Sequence, residues 1–106
     1  MKIPGDAHIS DEKLKVYLLS PRNRNDKSGF LLQVGFDRNN SHLLEDALHR
    51  LIRENEAQIE RESEYGTLYR VKGNLTGPHG ILTVVTIWIR VDAESHFRFV
   101  TMKPAR

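Results

Sequence analysis

The sequence predicts an α+β fold in which three N-terminal helices pack on one face of a four-stranded antiparallel β-meander. Hydrophobic residues recur at three- and four-residue spacing over about residues 10–56, which indicates amphipathic helices. Over about residues 57–103 they recur at every second position, which indicates strands. The predicted strands are joined by connections too short for a parallel crossover, so each neighbouring pair must be antiparallel. Helices followed by strands in this order are typical of the α+β class.

Three helices are predicted in the first half, each from its apolar stripe and its end signals. Ser10 caps the first, and Pro21 ends it because the residue before a proline avoids helical geometry. Asp26 caps the second and Gly35 closes it. The third has the strongest period, with leucines and an isoleucine three or four residues apart. The three helices are predicted at about residues 10–19, 27–34 and 41–54.

Four strands are predicted at residues 57–63, 67–75, 81–91 and 96–102, with turns at 64–66, 76–80 and 92–95. Closing each turn on its nearest residue pair gives a register. It places Arg70 between Glu60 and Thr86, Thr101 opposite Thr86, and Trp88 opposite Phe99. The face turned away from the helices is called the open face. Alternation assigns to it Glu60, Glu62, Arg70, Lys72, Thr86, Trp88, Arg90, Phe97, Phe99, Thr101 and Lys103.

Length and composition narrow the class of protein. A chain of 106 residues suits one domain, here residues 1–106, with a helical half and a sheet half. The absence of cysteine excludes thiol catalysis and thiolate zinc sites. No apolar run is long enough to cross a membrane and no signal peptide is evident, so we expect a cytoplasmic protein that does not bind membranes. The net charge of +2 comes entirely from residues 57–106.

The open face, as predicted, mixes basic side chains with aromatic ones. Aromatic rings flanked by Arg and Lys can stack unpaired bases while the cations neutralise phosphates, which favours RNA as a ligand. The same side chains suit a protein interface. They are also compatible with a solvated sheet face that carries ordinary cross-strand pairs. All three interpretations stay open at the level of sequence.

Individual residues receive roles under the RNA interpretation. Glu60 and His79 are the candidate acid and base, although Glu60 can equally be a structural partner of Arg70 and His79 an ordinary turn residue. The cations Arg70, Lys72 and Lys103 would hold the phosphate, with Thr86 and Thr101 hydrogen-bonding to it and Trp88 stacking a base. Lys27 could bind a phosphate or be a solvated lysine. The histidines lack metal-ligand spacing, and we expect neither a metal nor a cofactor.

The chain also resembles a small bacterial family of unknown function, whose members look like toxin-type proteins or toxin tips. The helix-then-meander order is similar to the barnase, EndoU and RelE group of metal-independent ribonucleases, in which active residues sit on the open face. The motifs that carry the resemblance are Lys27-Ser28 before Phe30, Gly35-Phe36, Tyr65-Gly66, Tyr69, Leu75-Thr76-Gly77-Pro78 with Gly80, Thr86-x-Trp88-Ile89, and Arg98-x-Val100-Thr101 with Pro104.

The resemblance implies functional roles at Lys27, Tyr65, Thr86, Trp88 and Thr101. The chain departs from the pattern where Lys103-Pro104 replaces Tyr-Pro and where His79 replaces Asn.

Two functional hypotheses follow. The first is a toxin-type, metal-independent endoribonuclease that acts on RNA from the open face, with a small cognate partner protein. The alternative is a non-catalytic interaction module, such as an antitoxin, an immunity protein or a partner-binding protein, that uses the Trp88, Phe97 and Phe99 patch. The sequence leaves the oligomeric state open.

Overall fold

The computed structural model describes residues 1–23, 26–91 and 96–105. The helical part contains a π-helix at Lys13–Leu18, helix α1 at Ser28–Leu32, a 3₁₀ turn at Arg38–Asn40 and helix α2 at Ser41–Glu54. The strands are β1 at Ala57–Ser63, β2 at Gly66–Gly77, β3 at Gly80–Val91 and β4 at Phe97–Pro104. They form one antiparallel sheet in the order β1-β2-β3-β4, which confirms the α+β class and the meander.

The first predicted helix forms with a different hydrogen-bond pattern. Ser10 accepts a hydrogen bond from the Lys13 N–H through its side-chain oxygen at 3.1 Å, as expected of a capping residue. The Leu19 N–H then donates to the carbonyl of Leu14 at 3.0 Å, which spans five residues, so the segment is a π-helix. The helices are not equivalent members of one layer, since α2 packs against β2 while the π-helix packs against α2.

One hydrophobic cluster joins the helices to the sheet. Leu44, Leu48 and Leu51 of α2 are fully buried, as are Val71 of β2 and Trp88 of β3. The period of α2 places its leucines on one side, and the alternation of β2 places its aliphatic residues on the face beneath them. The opposite face of the sheet is therefore the open face.

The β2–β3 hairpin is tighter than the sequence predicts. Gly77 pairs with Gly80, so only Pro78 and His79 form the turn, and the strands continue past the predicted five-residue loop. A Cβ atom at Gly77 would lie 2.4 Å from the Val34 carbonyl oxygen, so the strand can continue here only because this residue has no side chain. The tighter turn shifts β3 by one residue relative to β2.

That shift reverses the two faces of β3, because alternate residues point to opposite sides of a strand. Thr86 lies opposite Val71 on the core face, whereas the prediction placed it opposite Arg70 on the open face. Ile87 lies opposite Arg70 instead. The β3 side chains that the register assigns to the open face are those of Ile81, Thr83, Val85, Ile87 and Ile89.

Two register shifts within the sheet change further pairs. The shift in β1 lies between Ile59 and Arg61, and it leaves Gln58 opposite Arg70, so the predicted pairing of Glu60 with Arg70 is wrong. In the β3–β4 pair, Trp88 lies opposite Phe99 as predicted. The shift that follows between Ile87 and Trp88 places Thr101 opposite Ile87 and Met102 opposite Thr86, so the predicted pairing of Thr86 with Thr101 is wrong.

The predicted turn at residues 92–95 lies outside the described residues. Among the helices that the structure describes, none combines the length and the apolar character needed to cross a bilayer.

Candidate functional site

Thr86 and Trp88 belong to the core, so their predicted placement on the open face is wrong. Both are fully buried. The Thr86 hydroxyl donates to the Val71 carbonyl at 2.9 Å and accepts the indole N–H of Trp88 at 2.8 Å. The Trp88 ring meets Phe99 edge to face, with the ring centroids 5.2 Å apart. Neither side chain is available to a ligand.

The predicted aromatic patch is also part of the core. Phe97 and Phe99 are buried, and the Phe97 ring lies 5.4 Å from the ring of Tyr69. The open face therefore lacks the stacking platform formed by Trp88, Phe97 and Phe99 on which both sequence hypotheses relied.

The predicted base His79 lies far from both the predicted acid Glu60 and the predicted cation Arg70. Glu60 is exposed at the register shift of β1 and forms no ion pair with Arg70. His79 is exposed in the β2–β3 turn, where its backbone N–H donates to the Val34 carbonyl at 2.9 Å. Gly77 lies seven steps along the strand from Arg70, and at about 3.3 Å per residue the turn is some 23 Å from Arg70. The structure does not bring these groups together.

Tyr65 lies in the β1–β2 turn with 71% of its surface exposed. Five residues separate it from Arg70, about 17 Å along an extended strand. The structure places it at the end of the sheet opposite to His79.

Three of the predicted phosphate-binding residues do converge. Lys72, Val85 and Lys103 are successive partners across β2, β3 and β4, and Arg70 lies two residues before Lys72 on the same face. A cavity of about 550 Å³ opens between them. We call it the basic cavity, and it is lined by Arg70, Lys72, Val85, Lys103, Pro104 and Ala105.

The charge of the basic cavity is not compensated within the part of the chain that the structure describes. The three basic side chains, Arg70, Lys72 and Lys103, are exposed and form no ion pair with the described residues. None of the described residues that line the cavity with them carries a carboxylate. Val85 is buried between them but lies outside the main hydrophobic cluster. The long aliphatic parts of the basic side chains can cover it while their charges stay in water. The cavity is therefore suited to an anion.

A second group of cations surrounds Tyr17 on the π-helix. Lys13 and Arg22 each place their charge 4.8 Å from the centroid of the Tyr17 ring, and Lys27 places its charge at 5.6 Å. The Tyr17 hydroxyl is hydrogen-bonded to the hydroxyl of Thr101 at 2.8 Å. We call these five residues the tyrosine cluster. It joins Lys27 and Thr101, two residues that the sequence had singled out separately.

The surroundings of Tyr17 lower its pKa below the ordinary value of 10.0. The hydrogen bond with Thr101 is the main cause, because it stabilises the phenolate. Partial burial acts in the opposite direction, and the positive charges of Lys27, Lys13 and Arg22 lower the pKa further. A cavity of about 590 Å³ lies beside the ring, lined by Ser10, Glu12, Lys13, Val16, Tyr17, Ser20, Pro21 and Arg22.

The tyrosine cluster and the basic cavity meet on β4. Thr101 and Lys103 are two residues apart on the same face, which is about 7 Å. Arg70 lies opposite Ile87, which lies opposite Thr101, so two strand spacings of about 4.8 Å each separate Arg70 from Thr101. A single ligand could therefore contact both.

Sequence reasoning missed the tyrosine cluster. The one local signal was that Lys13 and Tyr17 lie four residues apart in a predicted helix, where their side chains are neighbours. Arg22, Lys27 and Thr101 reach the ring through tertiary contacts that no spacing in the sequence reveals. Across the described ranges, no group of three or more His, Asp or Glu side chains is arranged to hold a metal ion.

Comparison with known proteins gives a family and no function. No curated protein and no solved structure matches the chain. A family profile described as a domain of unknown function (DUF6883) matches residues 4–106, nearly the full length. The chain belongs to this family of unknown function, DUF6883.

Proposed function

We propose that this protein binds single-stranded RNA on the open face, through the phosphates. The observation that supports the proposal is the convergence of Arg70, Lys72 and Lys103 on one cavity, and none of the described residues that line it is acidic. Arg and Lys side chains bind phosphate oxygens through charge-assisted hydrogen bonds, and such contacts supply most of the affinity in sequence-independent binding.

The remaining side chains of the open face favour an unpaired strand over a duplex. Ile87 and Ile89 are half-buried beside the cations, and they offer apolar contact to the flat faces of bases that a duplex hides. Among the described residues of β2, β3 and β4, the aromatic side chains lie on the core face. Binding is therefore expected to depend on phosphates and to tolerate changes of base sequence.

The test compares two triple variants of equal charge. We expect the variant with Arg70→Ala, Lys72→Ala and Lys103→Ala to bind a fluorescent single-stranded RNA at least ten-fold more weakly than the wild type, as roughly expected from the loss of three phosphate contacts. The control variant carries Arg38→Ala, Arg50→Ala and Arg53→Ala, which are exposed residues away from the open face. Equal losses in both variants would show that only net charge matters and would contradict the proposal. A matching DNA strand tests whether the 2′-hydroxyl contributes.

Cleavage of the bound RNA is the second candidate activity, and the number of cations around the basic cavity favours it. One phosphodiester carries a single negative charge, and a second develops when the 2′-hydroxyl attacks phosphorus. In this reaction the bond between the 2′-oxygen and phosphorus forms and the bond to the 5′-oxygen breaks. The 2′-hydroxyl proton passes to water, and the ammonium group of Lys72 or Lys103 can donate a proton to the departing 5′-oxygen.

The toxin-type assignment, a small cognate partner and action in the cytoplasm belong to the same proposal. Expression of the wild type in a bacterium should arrest growth. Expression of the variant that lacks Arg70, Lys72 and Lys103 should not, whereas the variant that lacks Arg38, Arg50 and Arg53 should arrest growth as the wild type does. RNA incubated with the purified wild type in chelator should yield fragments with a 2′,3′-cyclic phosphate and a 5′-hydroxyl. RNA that is bound but stays intact would leave the binding proposal standing and contradict the catalytic one.

The alternative of a non-catalytic interaction module loses its predicted contact surface, because Trp88, Phe97 and Phe99 lie in the core. A protein partner would have to cover the basic cavity itself and would need an acidic surface to do so. Failure of the wild type to bind RNA would favour such a partner.

A further inference from the structure

We propose that the tyrosine cluster is a second anion site, which takes the terminal phosphate of an RNA strand that lies on the open face. This inference rests on the proposed RNA binding, and it names a substrate feature that the basic cavity alone would not recognise. The ligand chemistry is a phosphate monoester, which carries up to two negative charges near neutral pH, whereas each internal phosphodiester carries one.

The first argument is the concentration of positive charge. Three cations lie within 5.6 Å of one ring centroid. Lys13, Arg22 and Lys27 form no ion pair in the ranges that the structure describes. Cation–π contacts at exposed sites are weak and do not neutralise the charges. The mutual repulsion of the three charges therefore leaves a site that a multiply charged anion would stabilise.

Within residues 1–23, 26–91 and 96–105, two carboxylates are placed near the cluster. Glu12 lines the neighbouring cavity. Asp26 lies in the loop before α1, where its carboxylate interacts electrostatically with Arg22. The Asp26 carboxylate already accepts hydrogen bonds from the hydroxyl and the backbone N–H of Ser28, which lower its pKa. The cations thus outnumber the carboxylates around the cluster.

The second argument is the supply of hydroxyl groups beside these charges. The Ser10 oxygen accepts the Lys13 N–H, which leaves its own O–H free to donate into the cavity. The Tyr17 hydroxyl lies at the edge of the open face, held there by Thr101. Hydroxyl donors next to cations match the several oxygens of a terminal phosphate.

The third argument is the π-helix itself. Its hydrogen bonds span five residues, so the turns are wider than those of an α-helix, and Lys13 and Tyr17 lie on one side of it. Segments of π-helix are rare in proteins and are frequent at functional sites. Here the segment presents Tyr17 to Thr101 and to the three cations.

The fourth argument is the distance to the basic cavity. Arg70 and Thr101 lie about 10 Å apart across the sheet, since two strand spacings separate them. One strand of a duplex places a phosphate about every 3.4 Å along the helix axis, and an unpaired strand is more extended, so the distance corresponds to at most about three nucleotides. A strand whose phosphates occupy the basic cavity can therefore place its end at the tyrosine cluster.

The experiment measures the affinity of short RNA strands that differ only at their ends. One strand carries a 5′-phosphate, a second a 3′-phosphate and a third hydroxyl groups at both ends. We expect a phosphate at one of the two ends to strengthen binding to the wild type about ten-fold, and the end that does so gives the direction of the strand. Equal affinity for all three strands would overturn the inference.

Variants assign the effect to the cluster. The double variant Arg22→Ala with Lys27→Ala should lose the gain from the terminal phosphate and keep its affinity for the hydroxyl-ended strand within about three-fold. Tyr17→Phe keeps the ring and tests the hydroxyl alone. The double variant Arg38→Ala with Arg53→Ala is the charge-matched control and should keep the full gain. A gain that persists in the Arg22 and Lys27 variant would place the terminal phosphate elsewhere and overturn the inference.

A nucleoside 5′-monophosphate separates this inference from the proposed function. If hydroxyl-ended RNA does not bind the wild type, the proposed function fails. In that case, mononucleotide binding that is lost in the Arg22 and Lys27 variant still supports a phosphate monoester site. Another outcome is that hydroxyl-ended RNA binds the wild type while the Arg22 and Lys27 substitutions leave the affinities for the mononucleotide and for the phosphorylated strands unchanged. In that outcome the proposed function stands and this inference fails.

Discussion

Thr86 shows how one hydroxyl can serve the core rather than a ligand. It donates to the Val71 carbonyl and accepts the Trp88 indole N–H, so two buried polar groups depend on it. Buried polar groups are costly when they lack a partner. The spacing Thr86-x-Trp88 therefore has a structural reason, because residues two apart in a strand lie on the same face.

This reading predicts that Thr86→Val destabilises the protein by about 2–3 kcal/mol, because the shape is kept while the indole N–H and the Val71 carbonyl both lose a partner. Chemical denaturation gives the change in the free energy of unfolding. Thr76→Val is the matched control, since Thr76 is an exposed threonine of β2, and it should change stability by no more than about 0.5 kcal/mol. Equal effects of the two substitutions would contradict the proposed role of Thr86.

At the scale of elements, the β2–β3 hairpin decides which side chains reach the open face. The Val34 backbone passes so close to Gly77 that the strand can run past it only because Gly77 has no side chain. The hairpin also donates a hydrogen bond to that loop, from the His79 N–H to the Val34 carbonyl. The connection between α1 and the 3₁₀ turn thus packs against the hairpin turn that sets the register of β3 against β2.

Gly77→Ala should accordingly destabilise the protein by about 1–3 kcal/mol, because the new Cβ would lie 2.4 Å from the Val34 carbonyl oxygen and the loop must move. Gly29→Ala in α1 is the comparison, because no atom lies within 4 Å of the new Cβ. It should stabilise the protein by about 0.5–1 kcal/mol through the higher helix propensity of alanine. Thermal unfolding of both variants measures the difference. Tolerance of Gly77→Ala would show that the close approach does not constrain the hairpin.

For the whole molecule, the location of the charges matters more than their sum. The net charge is only +2. Even so, the sheet places Arg70, Lys72 and Lys103 around one cavity, and the π-helix brings Lys13 to the adjoining edge beside Tyr17. A nearly neutral protein can therefore present a local surface of strong positive potential.

The salt dependence of RNA binding tests this distribution. Three phosphate contacts on a single strand predict that log K falls with log salt concentration with a slope of about −2. The variant that lacks Arg70, Lys72 and Lys103 should show a slope near zero, and the variant that lacks Arg38, Arg50 and Arg53 should retain the wild-type slope. Titrations at several salt concentrations give these values. A wild-type slope near zero would mean that the basic cavity does not bind phosphates.

The sequence by itself determined the class of fold, the positions of the main elements and the shared face of Arg70 and Lys72 on β2. Periodicity is a local property, so it identifies α2 and β1 at their observed bounds and places Arg70 and Lys72 on one face of β2. Lys103 was assigned to that face as well, and the structure agrees. The predictions for α2, β1 and β2 succeeded because each depends on residues that are near one another in the chain. Lys103 reaches the same face because the one-residue shift of β3 against β2 and the register shift between Ile87 and Trp88 cancel.

The tertiary structure alone decided which face of β3 is open and which residues meet at Tyr17. One residue of turn length exchanges the two faces of a strand, and here the two-residue turn lies where Gly77 packs against Val34. Trp88 therefore moved from the predicted binding surface into the core. Thr101 and Tyr17 are 84 positions apart in the chain, and only the packing of the π-helix beside β4 makes them neighbours. Local patterns do not encode contacts of that range, because such contacts depend on how all the elements pack together.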